Sequence, residues 1–441
     1  MRKRILLLMA TAMMLLLSGC MFKPVDELYA LPQQSQEYYD LQAELEAHLN
    51  GGARYSAPES GDNQQSVQMA DLTGDGADEV IVFLHTAEEK PLQVYVYTPA
   101  GNTYENLAVL SHSGSSFDRV DYVELNGQPG LEMVVGTRVS DQVLQSLHAY
   151  TVDENGGAEL LNTNYFKYTL ADLDNDGQQD LVTFRSGAAG ERGVAELFRY
   201  VDGTIHSAGV ARMSVPLEAD VIRRIINGNT QSDLSAVFVA CALESGLITD
   251  VFAMRDGVFT NIAIGPDQTQ SAQTLRGAVI YGADLDGDGL IELPSTQKLQ
   301  KFNQEDPRDY YLVNWYNLDA DGRKIANLTT YYNDTDGWYL VIPDTWEGNL
   351  LVRYGDDESG YAGYGFYLYQ TEPSDARLVA TVYMFAGTDA RTLAESDGRF
   401  VLNQKGDLVF SAKLGSAADL TEAQLQGLFR LIQVQWFTGE M

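Results

Sequence analysis

A nine-residue acidic turn recurs three times in this chain, and it constrains the fold more than any other feature. It reads Asp71-Leu72-Thr73-Gly74-Asp75-Gly76-Ala77-Asp78-Glu79, then Asp172-Leu173-Asp174-Asn175-Asp176-Gly177-Gln178-Gln179-Asp180, then Asp284-Leu285-Asp286-Gly287-Asp288-Gly289-Leu290-Ile291-Glu292. Oxygen-bearing side chains at positions 1, 3 and 5, a turn glycine at 6 and an acid at 9 can wrap one hard cation. A lone Asp-Gly turn needs no metal. Three copies of one 1-3-5-6-9 pattern make cation binding the better reading. An EF-hand would need Glu at position 12 and a helix beyond it. Position 12 is Val82, Thr183 or Ser295, and apolar, strand-like sequence follows the first two loops, so that reading fails.

Copies of the turn, two of them eroded, begin at Asp71, Glu124, Asp172, Asn227 and Asp284, 48 to 57 residues apart. The second has Pro129 where the turn glycine stands, and the fourth is aligned mainly because Ala236 to Val239 follows in step. Between loops the sequence reads as short apolar strands; the first unit gives Glu79 to Leu84, Leu92 to Tyr97, Glu105 to Leu110 and Arg119 to Leu125. Four short strands at this period are what a β-propeller blade needs, because one blade cannot bury both of its faces alone. The expected fold is therefore mainly β: about five four-stranded repeats over residues 61–335, with up to seven blades left open.

The loops, each leading into strand-like sequence, resemble the FG-GAP/VCBS repeats of integrin α-chain-like propellers. That resemblance implies calcium held between strands of a blade. Carried over position by position, the ligands would be Asp71, Thr73, Asp75 and Glu79; Asp172, Asp174, Asp176 and Asp180; and Asp284, Asp286, Asp288 and Glu292. Thr73 replaces an acid, which implies a weaker first site.

The N-terminus carries its own signal. Arg2-Lys3-Arg4 precedes an apolar run from Ile5 to Leu17, then Leu17-Ser18-Gly19-Cys20. This is the layout of a signal peptide, too short for a confident span. The last four residues look like a bacterial lipobox, implying cleavage after residue 19 and lipidation of Cys20, hence a membrane anchor on the extracytoplasmic side of a bacterial envelope. Residues 20–60 read as a tether and short helix, with Tyr38, Leu41, Leu45 and Leu49 at helical spacing. With Cys20 so used, Cys241 is left alone in an apolar run and reads as a buried small hydrophobe.

Residues 336–441 change character. Strands are expected near Leu350 to Tyr354, Tyr364 to Tyr369, Leu378 to Phe385 and Asp407 to Lys413, followed by a helix. Thr421 to Gln424 forms a capping box, and Leu425, Leu428, Phe429, Ile432 and Trp436 share one face. This is a small α+β domain. The Tyr-rich run from Tyr361 to Tyr369 reads as strand packing more readily than as a ligand surface.

A formal charge of −33 on 441 residues excludes nucleic acid as a partner, since that needs a basic face. The five histidines are scattered, and neither a Gly-x-Ser-x-Gly elbow nor a phosphate loop is present. The expected function is a calcium-stabilised, lipid-anchored binding or structural protein that presents propeller loops to a protein or glycan. The alternative is a surface enzyme acting on polysaccharide, with the propeller as scaffold.

Overall fold

The computed structural model describes residues 36–139, 145–188, 191–218, 220–265, 269–302, 305–433 and residue 436. The signal segment and Cys20 lie outside the described residues, as does the side chain of Tyr38.

Helix α1 (Gln36–Asn50) leads into five blade-like antiparallel sheets. The first holds β1 (Arg54–Tyr55), β2 (Val67–Ala70), β3 (Glu79–His85), β4 (Leu92–Ala100) and β5 (Thr103–His112). The second is β6 (Ser116–Val123), β7 (Glu132–Arg138), β8 (Gln145–Asp153) and β9 (Gly156–Tyr165). The third is β10 (Lys167–Ala171), β11 (Asp180–Arg185), β12 (Val194–Val201) and β13 (Thr204–Arg212). The fourth is β14 (Ile222–Asn229), β15 (Ser235–Leu243), β16 (Gly246–Arg255) and β17 (Val258–Asn261). The fifth is β18 (Leu293–Lys298), β19 (Tyr311–Leu318), β20 (Lys324–Asn333) and β21 (Trp338–Val341). The chain is thus mainly β, with repeated four-stranded sheets in propeller-like succession and a small α+β region after them.

Each of these acidic loops joins two consecutive, paired strands of one sheet: Ala70 pairs with Glu79, Val123 with Glu132, and Ala171 with Asp180. The repeat read from sequence is therefore offset from the sheet by one strand, because the strand before each loop pairs forward across it. In the fifth sheet that leading strand shrinks to a single bridge between Ala283 and Glu292.

Strand alternation explains why the runs are apolar on both faces. Ile81 and Phe83 face the second sheet, whereas Val80, Val82 and Leu84 face Leu41 and Leu45 of α1. Val237, Val239 and Cys241 meet the third sheet, and Ala236 and Phe238 meet the fifth. Cys241 is accordingly fully buried, and burial pushes its thiol well up. A fully buried Val, Leu or Phe contributes about 1.5–3 kcal/mol over an exposed one, so these shared faces hold the stack together.

The sixth sheet comprises β22 (Leu350–Asp356), β23 (Ala362–Leu368), β24 (Arg377–Ala386), β25 (Phe400–Lys405) and β26 (Leu408–Leu414). One face joins the fifth sheet through Trp338, Tyr331, Phe366 and Phe410. Its other face is covered by α2 (Ala390–Ala394). Among the described residues no hydrophobic cluster joins the sixth sheet to the first. Helices close both terminal faces of the succession. Tyr364 packs against Tyr331, Trp338 and Tyr354, so the Tyr-rich run is strand packing.

The fifth sheet takes its fourth strand from Trp338–Val341, which forms a hairpin with β20. Two expectations change. Asn227 is in β14, not in a cation loop; a short turn closed by Thr230 N–H on the Leu234 carbonyl follows it. Without acids at positions 1, 3 and 5, nothing draws that backbone out of its ladder. The last helix, α3, spans only Glu422–Leu428. Its capping box is present, with Gln424 N–H donating to Thr421 Oγ1 at 3.3 Å. Phe429–Leu431 then leaves the helix as β27 and pairs with the open edge of β21. Gly427 weakens the helix end, and the edge strand offers hydrogen bonds that a longer helix would forgo.

Candidate metal centres

The loops share one skeleton built on the acid at position 9. Glu79, Glu132, Asp180 and Glu292 are all buried at the root of their loops. Each accepts the backbone N–H of loop position 2, from Leu72 at 2.8 Å, Leu125 at 2.8 Å, Leu173 at 3.1 Å and Leu285 at 2.9 Å. The position 1 acid gathers the opposite half of the turn: Asp71 accepts from Gly74 and Gly76, and Asp284 from Gly287 and Gly289. Position 4 takes positive φ at Gly74, Gly127, Asn175 and Gly287, which favours Gly, Asn or Asp there. In the second loop the next positive φ moves to Gly130, and Pro129 is accommodated at position 6.

The other oxygen of the position 9 acid distinguishes the copies. Glu79 receives the hydroxyls of Thr98 at 3.1 Å and Thr73 at 3.3 Å. Glu132 receives the Asn126 amide, and Thr151 also donates to it. Asp180 is clasped by Arg199, which reaches both of its oxygens at 2.9 Å and bonds Asp174 at 2.8 Å. Glu292 receives the amides of Asn317 at 2.8 Å and Asn327 at 3.0 Å. Burial raises the carboxyls of Glu132, Asp180 and Glu292 above the usual range, and these hydrogen bonds, with the Arg199 charge at Asp180, partly offset it.

Sequence reading missed these partners, although a signal was present. Thr98 and Arg199 each stand 19 residues beyond their acid, on the second strand after the loop. Thr151 keeps the same offset from Glu132.

Oxygens sharing one calcium at about 2.4 Å can lie at most about 5 Å apart. One oxygen each from Asp284, Asp286 and Glu292 meets that limit, all within 4.8 Å of one another. So do Asp172, Asp174 and Asp176. These are the two acidic groups of three or more that converge among the described residues. Asp288 and Asp180 stand outside them, and Asp75, Asp176 and Asp288 each accept the N–H two residues on at 2.8 Å. In the first loop Thr73 and Glu79 meet each other, while Asp71 is held by backbone donors. The donor set of the fifth loop fits a hard divalent ion best. Asp319 sits in a plain hairpin turn, accepting from the N–H groups of Asp321 and Arg323.

One buried acid outside the loops, Asp250, is engaged by serines. Asp250, fully buried, accepts from the Ser214 N–H at 2.8 Å and the Ser271 hydroxyl at 2.7 Å, as well as from the Ser214 hydroxyl. Two surface concavities, of about 470 and 440 Å³, are lined around Lys298, Phe302 and Pro373 and around Leu41, Leu45 and Met69. Neither presents the facing pair of carboxylates that glycoside hydrolysis uses.

No family model matches the chain, and no curated protein matches it. Solved structures that match include a rhamnogalacturonan lyase of Bacillus licheniformis, at 10% identity and a TM-score of 0.30. The match covers 74% of this chain and 72% of that one. A likeness of that size carries no argument about fold or chemistry.

Proposed function

We propose that this chain is a calcium-stabilised binding or structural protein of the bacterial envelope, related to FG-GAP/VCBS repeat proteins and anchored through lipidated Cys20. The observation that carries it is the fifth loop, where oxygens from positions 1, 3 and 9 converge. Calcium there would join a loop to the root of its own sheet, because Glu292 is already tied to β19 and β20 through Asn317 and Asn327. Ordered loops along one edge of a rigid stack can then be offered to a protein or glycan. The formal charge of −33 supports a role for cations in offsetting repulsion among the acids.

Binding to the folded state alone raises stability by mass action. Adding calcium to the chelator-treated protein is expected to raise Tm by a few degrees at roughly 100-fold excess over Kd. Asp284→Asn with Asp286→Asn is expected to remove most of that shift. Thermal melts that coincide with and without calcium would overturn the metal reading. Anchoring is tested separately: Cys20→Ser is expected to move the full chain from the membrane to the soluble fraction. Retention of the variant in the membrane would refute the lipid anchor.

A further inference from the structure

We propose that Arg199 is a tethered counter-cation that takes half of the third loop's site, making this loop a weak metal site that holds its shape without metal. The proposal rests on the calcium reading of the loops and adds to it an order among them.

Three repeats place a side chain 19 residues beyond the position 9 acid, and it is a neutral threonine in two of them. Only in the third repeat is it a cation. The guanidinium of Arg199 spans positions 3 and 9, lying 2.8 Å from Asp174 and 2.9 Å from Asp180. These two positions supply converging oxygens in the fifth loop, from Asp286 and Glu292.

The consequence is visible in which acids converge. In the fifth loop the group includes the position 9 acid, and the groups behind it are the neutral amides of Asn317 and Asn327. In the third loop the group is Asp172, Asp174 and Asp176, and Asp180 is turned to the arginine. An ion entering the third loop therefore meets three carboxylates without the position 9 acid among them, and a fixed positive charge already bonded to one of the three, Asp174. The two groups carry the same number of carboxylates, so the difference in calcium affinity comes from the like charge of the guanidinium a few ångströms away, which lowers the net negative charge an ion meets. The same guanidinium neutralises buried Asp180 when no ion is present, so this loop keeps its shape through chelation.

The test replaces Arg199 with threonine, its counterpart in repeats one and two, and with glutamine, which keeps a neutral donor toward Asp180. Calcium binding is followed by calorimetry on the full chain. Each variant is expected to show one site tightened by about tenfold or more, and adding Asp174→Asn should abolish that gain. In chelator the variants should melt below the parent. Arg185→Thr, which removes a different arginine of the same sheet from its bond to Glu196 at 2.9 Å, should leave calcium affinity unchanged. If the parent binds no calcium, the reading of the loops fails, and a site gained only in the Arg199 variants would still support the proposal. Variants with unchanged or weaker binding, and melting in chelator equal to the parent's, would overturn it.

Discussion

Glu292→Ala is expected to cost about 3–5 kcal/mol of folding stability in the presence of chelator, before any metal is considered. Glu292 is fully buried and accepts three hydrogen bonds: from Leu285 N–H at 2.9 Å, Asn317 at 2.8 Å and Asn327 at 3.0 Å. Alanine would strand all three donors at a buried site, and each stranded donor costs about 1–3 kcal/mol. The loss is larger than for a surface acid because those donors come from the loop, β19 and β20, so one carboxylate ties three segments. Glu292→Gln keeps the volume but turns an N–H₂ toward incoming donors, and about half the loss is expected. Asp288→Ala is the contrast: an exposed residue with one bond to Leu290 N–H, whose removal should cost about 0.5–1 kcal/mol. Urea unfolding of the three variants in chelator checks the order. A Glu292→Ala loss no larger than that of Asp288→Ala would show that the buried acid is not the root of the loop.

That prediction marks what could be read from sequence and what could not. The 1-3-5-6-9 spacing exposed the loops because it is local, set by one turn of backbone. The strands between them were legible because alternation buried on both faces leaves long apolar runs, as in Val80 to Leu84. The partners of the position 9 acids were not legible singly. Thr98, Thr151 and Arg199 are unremarkable residues until strand pairing brings them over the loop, and only their common offset betrays them. The fourth repeat misled for the opposite reason, because β15 follows in step whether or not a loop precedes it. At the C-terminus, Leu425, Leu428, Phe429, Ile432 and Trp436 do fit one helical face. The free edge of β21 decided otherwise, and an edge strand leaves no mark in the segment it captures.

The two ends of the stack follow from the same logic. A sheet with two apolar faces must cover both. The first sheet turns Val80, Val82 and Leu84 to α1, and the sixth turns Tyr383, Phe385 and Val409 to Ala390 and Ala394 of α2. The stripe of α1 was readable beforehand through Leu41 and Leu45. Its target was not, since the first sheet's runs look the same whether a helix or another sheet lies on them.

Acid should reveal the second large effect, at His112. This residue ends β5, is 1% exposed, and has no hydrogen-bond partner on either ring nitrogen among the described residues. Its ring lies 4.7 Å from that of His148, 5.5 Å from Tyr150 and 6.2 Å from Phe117. Burial strips the imidazolium of water, and positive charge on His148 and Lys90 opposes it further, so the group is pushed down to about 3. His148 itself holds Glu159 at 2.7 Å through Nδ1, which keeps that carboxylate on the far ring. In the unfolded chain His112 titrates near 6.5. Its folded value is depressed, so below about pH 6.5 the unfolded chain takes up a proton that the fold refuses. The contribution to stability is thus complete above that pH and is lost on descent toward pH 3, at about 1.4 kcal/mol per unit. The buried acids Glu132, Asp180, Asp250 and Glu292 are shifted upward and act in the opposite sense, so the wild-type profile alone mixes the two. The difference between wild type and His112→Phe isolates the histidine, and His112→Leu guards against a ring too large for the site. Both variants should match or exceed wild type at pH 7, and their advantage should grow by roughly 3 kcal/mol at pH 4.5. A stability gap that stays constant between these pH values would mean that His112 titrates equally in both states, and that its site is open to water in a way its packing denies.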